Sequence, residues 1–238
     1  MQDKLELFVE KMKTAAGENL KSLLLYGSAA GGEFAAGHSD LNLLCVLEST
    51  SAPHLRNLHA PLEWWARQGQ RPPLIFAAAE VSRTLDVFAM EWLDMKRSRR
   101  VLAGVDPLAA LEVPLDLHRV EVERELRTQL LRLRQAFALQ RGDKDVALLM
   151  ANSVSTFAVL FRHVLIAMGE APPADKAETF QQLALRFGFD AAPFLRALEL
   201  RAAKTIRISA ADATALFDGY QSSIARVVEE VDRQFQAR

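Results

Sequence analysis

Asp40 and Asn42 stand two residues apart at the head of an apolar run, Ser39-Asp40-Leu41-Asn42-Leu43-Leu44. Residues i and i+2 of a β-strand project from one face, so this spacing sets two oxygen-bearing side chains next to each other. A second apolar run ends in Gly27-Ser28, and eleven residues lie between Ser28 and Asp40. Glycine lets the backbone turn tightly and lets a ligand approach closely. If a helix starts just after the turn, its free N–H groups favour a phosphate. Two oxygen ligands beside a phosphate-holding turn make a site for a Mg²⁺-bound nucleotide. Gly27, Ser28 and Ser39 are the candidate nucleotide-binding residues. Asp40 and Asn42 are the candidate metal ligands and catalytic residues.

The second member of the pair is an amide. Asparagine is nearly isosteric with aspartate and offers one oxygen, but it carries no charge. Hard divalent ions prefer carboxylates, and a two-metal site depends on bridging charge. Asn42 therefore predicts weakened or lost Mg²⁺ binding. The same substitution predicts a large loss of rate, since each ~1.4 kcal/mol is tenfold.

A third acid is sought further on. Val87–Met95, "VFAMEWLDM", reads as a strand, and Glu91 on it is the candidate. Asp94 would lie on the opposite face of that strand, and Asp86 reads as a turn residue. Lys96, Arg97, Arg99 and Arg100 follow directly. Such a cluster would meet a triphosphate or an acidic partner, or form an exposed charged loop.

The elements that must position these residues fall into two halves. Leu5, Phe8, Val9 and Met12 follow helical spacing, with Gly17 as a stop signal. Residues 22–26 and 40–47 are buried-strand runs. Residues 53–69 read as a helix bearing Trp64 and Trp65, ended by Pro72 and Pro73. Residues 74–78 read as a short strand, and a short helical stretch follows Glu80. "RVLAGVDPLAAL" reads as an extended stretch and a turn. From about His118 the pattern changes to long apolar stripes at steps of three and four, as in Val122, Leu126, Leu130, Leu133 and Phe137. Similar stripes run from Val146 to Val164 and from Leu216 to Val231, with two shorter helices between them. The breaks fall at Arg141-Gly142-Asp143 and around Pro172-Pro173. The expected organisation is α+β over residues 1–112, a mixed sheet flanked by helices, then a helical bundle over 113–238.

The run "LLLYGS", the eleven-residue interval and "DLNLL" together resemble the DNA polymerase beta-like nucleotidyltransferase superfamily. The resemblance covers roughly residues 1–112. The helical bundle that follows is similar to the layout of antibiotic and other small-substrate nucleotidyltransferases. It implies an NTP as ligand, Mg²⁺ as cofactor and a small-molecule acceptor bearing a hydroxyl. In that family two carboxylates hold the metal ions, on the positions of Asp40 and Asn42, and a third acid activates the attacking hydroxyl. Asn42 departs from that pattern. Two functions follow as expectations: a nucleotide-binding protein with weakened or lost transfer, or an active Mg²⁺-dependent transferase.

The bulk numbers narrow the alternatives. The chain has 238 residues, a net charge of −1 and a single cysteine. Near-neutral charge provides no long-range field toward nucleic acid or an anionic membrane. Cys45 sits in an apolar run and reads as a small buried hydrophobe. No apolar run reaches the ~18 residues of a membrane helix, the N-terminus has no leader pattern, and a cytoplasmic location is the expectation. Five histidines have no metal-ligand spacing. His163 reads as a bundle histidine, His38 as polar surface, and the three tryptophans as core. Exposed stripes on the bundle make a homodimer an expectation.

Overall fold

The computed structural model describes residues 2–27, 29–30, 41–203, 205 and 208–236. The chain divides into two compact units, residues 1–114 and 115–238.

The first unit is built on a four-stranded mixed sheet. Its elements run α1 (Gln2–Ala16), a 3₁₀ turn (Gly17–Asn19), β1 (Leu20–Tyr26), β2 (Asn42–Leu47), α2 (Ala52–Asn57), α3 (His59–Arg67), β3 (Leu74–Ala77), α4 (Ala78–Val81), α5 (Ala89–Arg97) and β4 (Arg99–Gly104). The strand order is β3-β2-β1-β4. β1 pairs antiparallel with both neighbours, and β2 pairs parallel with β3 through the α2–α3 crossover. A parallel pair needs such a crossover, and helices covering both faces explain why β1 and β2 are apolar at nearly every position.

The two faces have separate cores. Leu23, Leu25, Leu43, Cys45 and Leu47 pack with Leu5, Phe8, Met12 and Trp65. Trp65 stacks on Phe8 with ring centroids 4.4 Å apart, and its indole N–H donates to the Arg71 carbonyl at 3.0 Å. Cys45 is fully buried, which pushes its thiol up to about 12 and leaves it a hydrophobe at neutral pH. On the other face, Leu24, Leu44 and Val46 pack with Val81, Trp92, Met95 and Leu108, and Tyr26 lies against this cluster. Trp65 and Trp92 are therefore core residues. Trp64 is half-buried, with Lys11 Nζ 5.4 Å from its ring centroid.

Ser22 on β1 is fully buried, and its hydroxyl has no hydrogen-bond partner among the described residues. An unmet buried hydroxyl costs free energy. Ser22→Ala is expected to stabilise the protein by about 1 kcal/mol, read as a higher urea midpoint at unchanged slope. A lower midpoint would show that the hydroxyl has a partner in solution.

One sequence expectation fails here. Residues 87–95 do not form a strand: Ala89–Arg97 is helix α5, entered through a turn in which Val87 and Phe88 N–H donate to the Thr84 carbonyl. Its buried residues are Ala89, Met90, Trp92 and Met95. Burial at steps of three is helical, whereas a strand would bury alternate positions. The Trp92 indole N–H fixes the helix by donating to the Thr84 carbonyl at 3.3 Å.

The second unit holds α6 (Leu115–Ala138), α7 (Asp143–Ala167), α8 (Lys176–Phe187), α9 (Ala192–Ala202) and α10 (Ala210–Gln236). α7 is central and packs on the other four. It is long and apolar enough to cross a membrane by length and composition, but 56% of its most apolar window is buried inside the protein, as for the core helix of a bundle. Phe157, Phe161, Phe180, Phe194 and Tyr220 form a connected aromatic core. His163 is fully buried, and its Nδ1 shares a hydrogen bond with Nε2 of His118 at 2.9 Å.

Candidate functional site

β1 ends at Tyr26, and the chain turns at Gly27 with φ +78°. That conformation suits glycine, which has no Cβ to clash. The Gly27 N–H donates to the Ser98 carbonyl at 2.9 Å, and the Ser98 hydroxyl donates back to the Gly27 carbonyl at 2.9 Å. The turn is thus tied to the start of β4. The Gly27 N–H is thereby engaged within the unit.

Asn42 opens β2 directly opposite Tyr26. A Cβ added at Gly27 would come 3.4 Å from the Asn42 amide nitrogen. The head of Asn42 therefore lies over the glycine turn. Ser28, Ser39 and Asp40, with His38, lie outside the described residues.

On its other side Tyr26 is directly opposite Arg99. Directly opposed residues of antiparallel strands share a face. Asn42, Tyr26 and Arg99 thus form one row across three strands, on the face that α5 covers. Glu91 lies in the first turn of α5 and is exposed. Burial raises the Tyr26 phenol above its ordinary value, and the Glu91 charge raises it further. Glu91, the third acid sought in the sequence on a strand, stands in the first turn of a helix. Asp94 is three residues on along that helix, so the two acids are neighbours on its surface and do not lie on opposite faces. Asp86 is an exposed turn residue.

The basic cluster is largely consumed within the unit. Arg99 clasps Asp106 through Nε at 2.9 Å and Nη2 at 2.8 Å, and it also donates to the Lys96 carbonyl. Lys96 Nζ donates to the Leu111 carbonyl. Burial alone would raise the Asp106 carboxyl. The hydrogen bonds from Arg99 and the Leu108 N–H, with the charges of Arg99 and Lys96, outweigh it and hold the group below the ordinary carboxylate range. Arg100 is exposed and lines a groove with Glu6, Glu10 and Lys13 of α1, on the other face of the sheet.

Magnesium takes oxygen ligands, chiefly carboxylates, in octahedral geometry. The described residues bring one amide oxygen, from Asn42, and no group of three metal-binding side chains forms among them. Arg99 was singled out in the sequence as one of a basic cluster, but its pairing with Asp106 was not, and Tyr26, Ser98 and Asp106 were not foreseen as parts of this end of the sheet.

A mixed four-stranded sheet flanked by helices, followed by a helical unit, is an α+β nucleotidyltransferase-like fold. Among solved structures the chain is similar to spectinomycin adenyltransferase AAD(9) from Enterococcus faecialis, crystallised with ATP and spectinomycin. The TM-score is 0.59 at 12% identity, over 94% of this chain and 99% of that one. A likeness at this identity is one of fold. No protein-family model and no curated protein matches the chain.

Proposed function

We propose that the protein binds a nucleoside triphosphate where β1 turns at Gly27 and β2 begins at Asn42, with weakened or lost transfer activity. The observation that carries this reading is the Asn42 amide lying over the Gly27 turn. It occupies the position from which a second carboxylate would hold metal in the nucleotidyltransferase pattern. In this reading Gly27 allows the phosphates close to the backbone, Ser28 and Ser39 donate to them, and Asp40 supplies the remaining carboxylate. The fold shared with an adenyltransferase crystallised with ATP supports the choice of ligand. The same likeness favours a second reading, in which Asp40, Asn42 and Glu91 suffice for Mg²⁺-dependent transfer of a nucleoside monophosphate to a hydroxyl of a small molecule.

Calorimetric titration of ATP and GTP, each with and without Mg²⁺, separates the two. Binding that is indifferent to Mg²⁺ is the expected result. Binding that requires Mg²⁺ would favour the transferase and justify an acceptor screen. No binding of either nucleotide would remove both readings.

A further inference from the structure

Among the described residues the sheet order β3-β2-β1-β4 makes β3 and β4 the edges. An edge strand presents backbone N–H and C=O groups without a ladder partner, and proteins blunt such edges with short strands and prolines. The β3 edge is blunted in that way: Leu74–Ala77 has four residues and follows Pro72 and Pro73. The β4 edge is longer, since Arg99–Gly104 has six residues and no proline. Its irregular step against β1 lies beyond Val101, so Arg99, Arg100 and Val101 pair in regular register with Tyr26, Leu25 and Leu24. Among the described residues the backbone of residues 100–103 bonds only to β1.

A groove of about 410 Å³ runs between β4 and α1. Leu5 and Val9 of α1 are its buried apolar lining, and Arg100, Val101 and Leu102 line it from the strand. Val101 is 39% exposed, a large apolar side chain on an open edge. Arg100 and Glu6 are both exposed and line the same groove. Among the described residues Arg100 has no ion-pair partner, and Glu6 accepts only from the Gln2 amide. One surface thus carries an unpaired strand edge, an uncompensated cation and an uncompensated carboxylate. A basic or an acidic peptide would answer one of the two charges. A second copy of the same surface, turned about a two-fold axis, answers both.

We propose that β4 pairs antiparallel with β4 of a second copy, so that two sheets join edge to edge and Arg100 of each copy meets Glu6 of the other. A two-fold axis near Val101, perpendicular to the sheet, keeps both α1 helices on one face and closes each groove with the other copy. Main-chain hydrogen bonds supply the attraction, as when an extended peptide adds to a sheet edge. Arg100 is the charge that would otherwise hold two such edges apart. Paired reciprocally with Glu6, it fixes the orientation and disfavours other partners. This interface is independent of the nucleotide reading and assigns the open side of β4 to a homodimer.

The test is sedimentation velocity of the full chain over a concentration series, with Arg100→Glu, Glu6→Arg and an equimolar mixture of the two variants. Both positions are exposed, so neither change reaches the core. The wild type is expected to dimerise with a Kd of about 10 µM or tighter. Either variant alone opposes like charges twice across the axis and is expected to dimerise at least about tenfold more weakly. The mixture is expected to recover a dimer of one copy of each, because every reversed charge then faces an opposite one. A wild type that stays monomeric up to about 200 µM overturns the proposal. A dimer that neither variant weakens lies on another face and overturns it as well. Variants that are monomeric alone and remain so when mixed overturn the pairing of Arg100 with Glu6.

Discussion

Asn42→Asp is expected to convert nucleotide binding that ignores Mg²⁺ into binding that depends on it. The substitution changes charge and almost nothing else. The side chain keeps its volume, stays half-buried at the head of β2, and keeps its place over the Gly27 turn. What it gains is one negative charge at a position where the wild type has an amide. Hard divalent ions select carboxylate oxygens, and the metal would bring the phosphates with it. The affinity for ATP in the presence of Mg²⁺ is expected to rise at least about tenfold over that in its absence, about 1.4 kcal/mol of coupling. In the absence of Mg²⁺ the variant is expected to bind ATP more weakly than the wild type, because the new charge faces a polyanion. The measurement is the same titration, run on both proteins with and without the ion. Equal Mg²⁺ dependence in wild type and variant would show that residue 42 does not face the phosphates.

How far the sequence reveals this site can be judged residue by residue. β1 and β2 are legible because both faces are covered, so their apolar runs are continuous and short. The approach of Gly27 to Asn42 follows from the antiparallel pairing of β1 with β2, which sets the end of one strand against the start of the other. Glu91 is legible as a candidate but not as a helical residue. The stretch "FAMEWLDM" is mostly apolar and short, and such a run does not by composition alone separate a strand from a helix. The helix is decided by Trp92 reaching back to Thr84 and packing on Phe76, contacts that no local pattern encodes. The basic cluster misleads in another way. Lys96 and Arg99 are spaced as though free to meet a phosphate. Their partners, Leu111 and Asp106, come from the segment after β4, and only the folded chain brings them close. The His118–His163 pair is 45 residues apart in sequence, so one buried histidine gave no hint of the other.

Gly104→Ala is expected to be the most damaging small substitution in the first unit. Gly104 closes β4 opposite Ser22, with φ +76°. A left-handed backbone costs an ordinary residue roughly 1–2 kcal/mol by itself. Here a Cβ would also lie 2.0 Å from the Lys21 carbonyl oxygen, 2.7 Å from its carbon and 3.1 Å from the Ser22 Cα. All three are backbone atoms of the central strand, so no side chain can rotate out of the way. The Lys21 carbonyl is held further by the Val105 N–H, which donates to it at 3.2 Å. Relief therefore requires β4 to shift away from β1, and that loosens the Arg99–Tyr26 register at the far end of the same pair. A loss of about 3 kcal/mol or more is expected, a large share of the roughly 5–15 kcal/mol by which domains are stable. Gly69→Ala is the matched control. Its φ is also +76°, but an added Cβ would meet nothing within 4 Å, so only the backbone penalty of about 1 kcal/mol applies. Urea unfolding of the two variants beside the wild type separates the contributions. If both lose the same stability, the crowding against Lys21 is relieved at no cost and β4 is not held in place by Gly104. If Gly104→Ala loses at least twice as much, the close approach of β4 to β1 depends on a residue without a side chain, and the row from Arg99 through Tyr26 to Asn42 depends on it as well.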